Sequence, residues 1–235
     1  MRKPVLGILG FSDGDKAAHE MLKPIVQAQV DAIAEALKKD GRVEVVVAED
    51  IVHSDKTAKS YAEDLKAKGV DATVFAYGVF AFPVFSVIAA RYGKGPFLLA
   101  APFNPDWPGM VSMLAAGGGL DHEGIEHFRV AGDVNEKEVL EKIVTFAKCA
   151  KVVSGLSGQK YGLIGGRSLG MYSTTVSMQD WQEKFGVDVE HIDQLEIVRK
   201  AEEVDEAQVE KAYKWLTDNV GKIEFKRNIL YTGET

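Results

Sequence analysis

From its first residue to about Ser154 the chain alternates short apolar runs with longer stretches of helical periodicity, and no other property of the sequence restricts its fold as much. The runs Pro4–Leu9, Val43–Ala48, Ala72–Ala76, Phe97–Ala101 and His127–Val130 are short and mostly apolar, as strands buried on both faces are. Between the first two, Asp15 to Lys39 carries Met21, Ile25, Val26, Val30, Ile33, Ala34 and Leu37 at spacings of three and four. That is one apolar stripe on a long amphipathic helix, which Gly41 closes. Ser54 or Asp55 caps a second helix that runs through Lys68 and ends at Gly69, and Pro83–Tyr92, Gly109–Ala116 and Asn135–Val153 supply three more.

Five strand–helix repeats predict an α/β fold over residues 1–155: a flavodoxin-like, doubly wound parallel sheet whose ligands sit in loops at the carboxyl ends of the strands. After the small polar stretch Ser154–Gly158, residues 156–235 read as part of a second α/β domain. Its elements are a strand at Tyr161–Ile164, a helix around Met178–Phe185, a strand at Val187–Ile192 and helices near Leu195–Glu203 and from Asp205 to Val220. Two strands cannot bury that many helices, and the apolar run Asn228–Tyr231 has no later element to pack against. The expectation is an amino-terminal portion of a longer protein with its second domain truncated and an apolar patch left around Ile229–Tyr231.

Composition excludes several classes of function. Lysine plus arginine number 28 against 35 aspartate plus glutamate, so the formal charge is 28 − 35 = −7. A balance of that sign disfavours nucleic acid or an anionic membrane as partner. No apolar run approaches the roughly 20 residues of a membrane span. The start, MRKPVLGILGF, lacks a small-residue cleavage site, and the single cysteine, Cys149, permits no internal disulfide. The expected setting is the cytoplasm, with Cys149 a small buried residue on a helix.

The stretch from Tyr161 to Glu203 says most about chemistry. A strand ends in Gly165-Gly166, where the backbone can turn tightly, and Arg167 and Ser168 follow at once. The segments GGRSLGM, Gly165–Met171, and WQEKFGVDVEHIDQLEIVRK, Trp181–Lys200, resemble the second amino-terminal domain of the L-fucose isomerase family of aldose–ketose isomerases. In the first domain, FNPDWPG at Phe103–Gly109 looks like the family's F-N-x-x-x-P-G turn. FAFP at Phe80–Pro83 is similar to a segment that often carries tryptophan where this chain has Phe80. Some members carry arginine just after the Asp-Gly pair that here is Asp13-Gly14. The resemblance implies a divalent metal, typically Mn2+, held by two carboxylates and a histidine that lie beyond this chain, and a homo-oligomer, a trimer or hexamer. What remains for this segment is scaffold, subunit contacts and part of a sugar pocket, and the chain alone is expected to lack isomerase activity. The alternative is a non-catalytic sugar-binding or regulatory module on the same scaffold.

The candidate substrate-binding residues are Asp13, Phe80, Asn104, Trp107, Arg167 and Ser168. Trp107, between Asp106 and Pro108 after a strand, is expected to be exposed and suited to stacking on a sugar ring. Asn104 can meet a hydroxyl or cap the turn ahead of Pro105, and Asp13 can meet a hydroxyl or cap the helix that follows. Phe80 is set beside Phe82 and Phe85, an aromatic group that more simply packs. Arg167 and Ser168 can hold a sugar hydroxyl or a neighbouring subunit, or belong to a tight turn. The same loop lacks the Gly-Lys-Ser/Thr ending of a phosphate cradle. The histidines form no metal spacing: His19 and His53 read as surface residues, His122 lies in a loop, and His191 lies in a strand that sends Glu190 to the opposite face. No nucleophile elbow is present, and Glu202–Glu210 is a solvated helix boundary.

Overall fold

A computed structural model describes residues 2–167, 170–174 and 177–221. The chain divides into two compact units, residues 1–157 and 158–235. The first alternates strand and helix throughout: β1 (Val5–Gly10), α1 (Lys16–Asp40), β2 (Glu44–Val47), α2 (Asp55–Ala67), β3 (Ala72–Ala76), α3 (Pro83–Tyr92), β4 (Phe97–Ala101), α4 (Gly109–His122), β5 (His127–Ala131) and α5 (Lys137–Leu156). Its five strands form one parallel sheet in the order β2-β1-β3-β4-β5, the flavodoxin-like arrangement.

Period-two alternation splits the core between the faces of this sheet. Leu6, Ile8, Val74, Leu98 and Ala100 pack with α1 and α5, while Leu9, Phe75, Phe97 and Leu99 pack with α2, α3 and α4. Each fully buried Leu, Ile or Phe contributes about 1.5–3 kcal/mol relative to an exposed one, so both faces are held mainly by apolar burial. Asp15 caps α1 by accepting from the amides of Ala17 and Ala18, and Gly41 in the left-handed region ends it. Of the two candidate caps for α2 it is Ser54 that acts, in a reciprocal capping box with Thr57.

Several expectations change. Met21 is 67% exposed and lies off the apolar stripe of α1, whose buried edge runs through Val26, Val30, Ile33 and Leu37. Helix α4 continues past Ala116 to His122, so His122 is helical rather than in a loop. The helix runs through three consecutive glycines, two of which let neighbours approach. The Arg129 guanidinium of β5 lies over Gly117, and Pro83 and Val87 of α3 lie against Gly119. Cys149 is on α5 as expected but exposed, since its position falls between the buried Ala147 and Ala150.

The second unit contains β6 (Lys160–Ile164), a 3-10 turn at Tyr172–Thr174, α6 (Met178–Phe185), β7 (Asp188–Ile192), α7 (Leu195–Glu202) and α8 (Glu206–Asn219). Strands β6 and β7 pair in parallel. Among its described residues the buried apolar side chains are Val187 and Val189. The run Asn228–Tyr231 lies outside the described residues. No helix among the described residues is long and apolar enough to cross a membrane.

Candidate functional site

In the first unit the strand order reverses between β1 and β3, so the chain leaves neighbouring strand ends in opposite directions and opens a crevice there. Three loops border it: Phe11–Asp15 after β1, Tyr77–Phe82 after β3 and Pro102–Pro108 after β4. The loop after β3 is held from both sides. Buried Tyr77 shares a 2.7 Å hydrogen bond with the buried Ser86 hydroxyl of α3. The buried Ser112 hydroxyl of α4 accepts from the Ala81 amide at 3.0 Å. Burial drives the Tyr77 phenol well above its ordinary range, more than the bond from Ser86 pulls it back, so it stays neutral and acts as a structural pin.

Between the loops and the amino-terminal half of α1 lies a groove of about 440 Å³, lined by Ile25 and Gln29 of α1, by Gly78, and by Pro102, Asn104 and Trp107. Gly78 is needed for a close approach: a Cβ there would stand 3.2 Å from the Ile25 carbonyl oxygen and 3.3 Å from the Val26 Cα, both backbone atoms. Trp107 is half-buried rather than exposed, because its ring packs on the core beneath α1 and α5 while one part faces the groove. The Asn104 side-chain oxygen accepts from the Asp106 amide at 2.8 Å, the turn-capping use. The residue is exposed and lines the groove.

The remaining candidates fall elsewhere. Asp13 accepts from the Asp15 amide at 2.8 Å, a local turn that prepares the cap on α1. Its neighbour Gly14 lies against Phe82 and Phe85, and Phe80 and Phe85 each meet Phe82 edge-on at 6.0 Å. Asp13 and the aromatic group therefore share one end of the sheet, with Asn104 and Trp107 in a separate groove. In the second unit Gly165 and Gly166 both take left-handed φ, 74° and 71°, and Arg167 lies over the Tyr172 ring at 4.3 Å. Ser168 lies outside the described residues. A second groove of about 650 Å³ is formed by Gly165, His191, Asp193 and Gln194 with Ile192 and Leu195.

Glu190, His191 and Asp193 do not converge. Glu190 pairs with Lys160 at 2.7 Å, and Asp193 accepts from the Leu195 amide at 2.8 Å. Among the described residues no group of three or more His, Cys, Asp or Glu could hold a metal ion.

Gln29, Gly78 and Ser112 escape sequence reasoning. Gln29 leaves a trace, a polar residue four positions from both Ile25 and Ile33 on the apolar stripe of α1, and Gly78 follows directly on a strand. Nothing in the local sequence marks Ser112, because its partner Ala81 is 31 residues away.

Residues 3–158 match the family model described as L-fucose isomerase, first N-terminal domain, and residues 159–229 match L-fucose isomerase, second N-terminal domain. Among similar proteins, the L-fucose isomerase of Bacteroides thetaiotaomicron is 27% identical over 231 residues, covering 90% of this chain and 38% of that protein. The L-fucose isomerase of Clostridium perfringens is 34% identical over 122 residues, 48% of this chain and 20% of the relative. That of Haemophilus influenzae is 26% identical, over 95% of this chain and 41% of its own length. Where the alignment runs along most of the chain, it thus spans about two fifths of these relatives.

Proposed function

The chain belongs to the L-fucose isomerase family, matching its first and second N-terminal domains in succession, and from that premise we propose that it forms the amino-terminal part of a metal-dependent isomerase. The reaction is the aldose–ketose interconversion of L-fucose, D-arabinose or a related sugar. Residues 2–157 serve as scaffold, and their strand-end loops supply one wall of the sugar pocket. The observation that carries this reading is the unbroken order of the two matched domains along residues 3–229. The groove adds chemical support. A tryptophan face beside two carboxamides, Gln29 and Asn104, suits a polyhydroxylated ring, whose C–H face stacks on indole while its hydroxyls both donate and accept.

Manganese, a homo-oligomer and a cytoplasmic setting belong to the same proposal. In this proposal the share of residues 2–157 is contact and shape, and the chain alone is expected to turn over no sugar.

The test uses the full 235-residue chain. Incubated with manganese and L-fucose or D-arabinose it is expected to yield no ketose, and turnover would mean that ligands for the ion lie within it. Saturation-transfer NMR with L-fucose is expected to show contact that Trp107→Ala weakens several-fold. Contact unchanged in that variant would remove the groove from the sugar pocket and leave the family assignment standing.

A further inference from the structure

On the β2 side of the same sheet end, α1 meets the loop between β2 and α2 through two imidazoles. His19 of α1 and His53 of the loop stack with ring centroids 4.2 Å apart and planes 24° from parallel. His19 is 4% exposed, against the expectation of a surface residue, and its Nδ1 has no hydrogen-bond partner. His53 is half-buried. Its Nδ1 lies 3.3 Å from the Ile51 carbonyl oxygen, a contact that requires the proton on that nitrogen. A buried polar nitrogen without a partner is uncommon, and in a neutral stack the ring is held by packing alone.

Both sides of the contact are anchored. The Ser12 amide, near the start of the loop after β1, donates to the Val52 carbonyl at 2.8 Å, and Val52 directly precedes His53. Asp15 caps α1 one turn before His19. The stack therefore closes a ring of contacts around the loop that carries Asp13.

We propose that the His19–His53 stack is a proton-operated latch, which fastens the first turns of α1 to the β2–α2 loop while both rings are neutral and releases them when a proton is taken up. A proton on His19 puts charge into an almost fully buried ring whose Nδ1 has no partner to receive it, and charges on both rings repel at stacking distance. The groups around the pair do not cancel this. From its own helix His19 faces Glu20 and Lys23, and from the β2–α2 loop Asp50 and His53, while Asp50 and Glu49 also face Tyr61 of α2. Asp50 is already engaged by Lys23 at 2.7 Å. Burial first, then His53 and Lys23, hold the His19 imidazole below its ordinary 6.5 against the opposing pull of Glu20 and Asp50.

The direction of the effect follows. The folded contact prefers the neutral ring, so the latch is at full strength above pH 6.5 and weakens as the pH falls below that value. The opening equilibrium rises by at most about tenfold per pH unit, and by less near 6.5, until the folded-state value is passed. Release would loosen the loop carrying Asp13, which makes one end of the crevice acid-sensitive.

Two measurements on the full chain test this. Histidine ring resonances, followed by NMR with residue-specific assignment, should show His19 titrating below 6.5. Amide exchange over residues 12–22, corrected for intrinsic rates, should show less protection at pH 5.5 than at pH 6.5, by up to about fivefold for the single proton. His19→Phe keeps a stacked ring without a titrating nitrogen and should abolish that pH dependence. Titration of His19 at or above 6.5, or protection that does not change with pH in the wild type, would overturn the proposal, as would a His19→Phe chain that keeps the wild-type pH dependence. Should His19→Phe fail to fold, the two wild-type measurements decide the matter on their own.

Discussion

Helix α4 offers a test in which one chemical change, glycine to alanine, should have opposite signs nine residues apart. At Gly109, the first residue of the helix, an added Cβ would stand 2.5 Å from the Tyr77 carbonyl oxygen and 3.2 Å from the backbone carbons of Tyr77 and Gly78. All three neighbours are backbone, so no side chain can swing away. Restoring even a 3.0 Å contact demands a shift of 3.0 − 2.5 = 0.5 Å between α4 and the end of β3. Overpacking of this kind costs about 1–3 kcal/mol. At about 2–4 °C per kcal/mol for a unit of this size, Gly109→Ala should melt about 2–12 °C below the wild type. At Gly118 nothing lies within 4 Å of the built Cβ, and the helix gains the entropic advantage of alanine, about 0.5–1 kcal/mol. Gly118→Ala should therefore melt about 1–4 °C higher. Differential scanning calorimetry of both variants decides the point. Equal shifts, or a Gly109→Ala transition indistinguishable from wild type, would refute the claim that α4 rests directly on the backbone of the β3 loop.

Tyr77→Phe should cost about 1–2 kcal/mol in urea unfolding, because it strands the buried Ser86 hydroxyl, and Ser86→Ala added to it should recover part of the loss. Buried Asp71 accepts two bonds from Arg2 and one from the Val5 amide. Burial alone would raise its carboxyl, but those bonds and the Arg2 and Lys151 charges outweigh it and hold the group below its ordinary 3.8. Its stabilising share is therefore present above pH 3.8 and fades as the pH falls through the lower folded value, so the gap in melting temperature between wild type and Asp71→Asn should be widest near neutrality and narrow toward pH 3.

The fold was legible because its signals are local. Strands β3 and β4 coincide with apolar runs bounded by turn residues, and α1 reveals itself by spacing and by its Asp15 and Gly41 ends. Helix α4 was misread at its carboxyl end because glycine propensity argues for a break, while the compensating contacts come from Arg129, Pro83 and Val87 on other elements. The candidate site was legible in part. Asn104 and Trp107 stand in a loop after a strand, where ligands gather, but the surfaces that make it a groove come from α1 and from Gly78, distant in sequence. His19 was misplaced for a related reason. Charged Lys16, Glu20 and Lys23 stand around it along the helix, and the ring that stacks on it is 34 positions away, at His53.

The sparse interior of the second unit has its own consequence. Residues 2–157 enclose apolar side chains on both sheet faces, while the described part of the second unit encloses only Val187 and Val189. Resistance to opening scales with such enclosure, so the chain should not come apart in one event. Limited digestion of the chain should trim it from the carboxyl side first and leave a durable product ending close to residue 157.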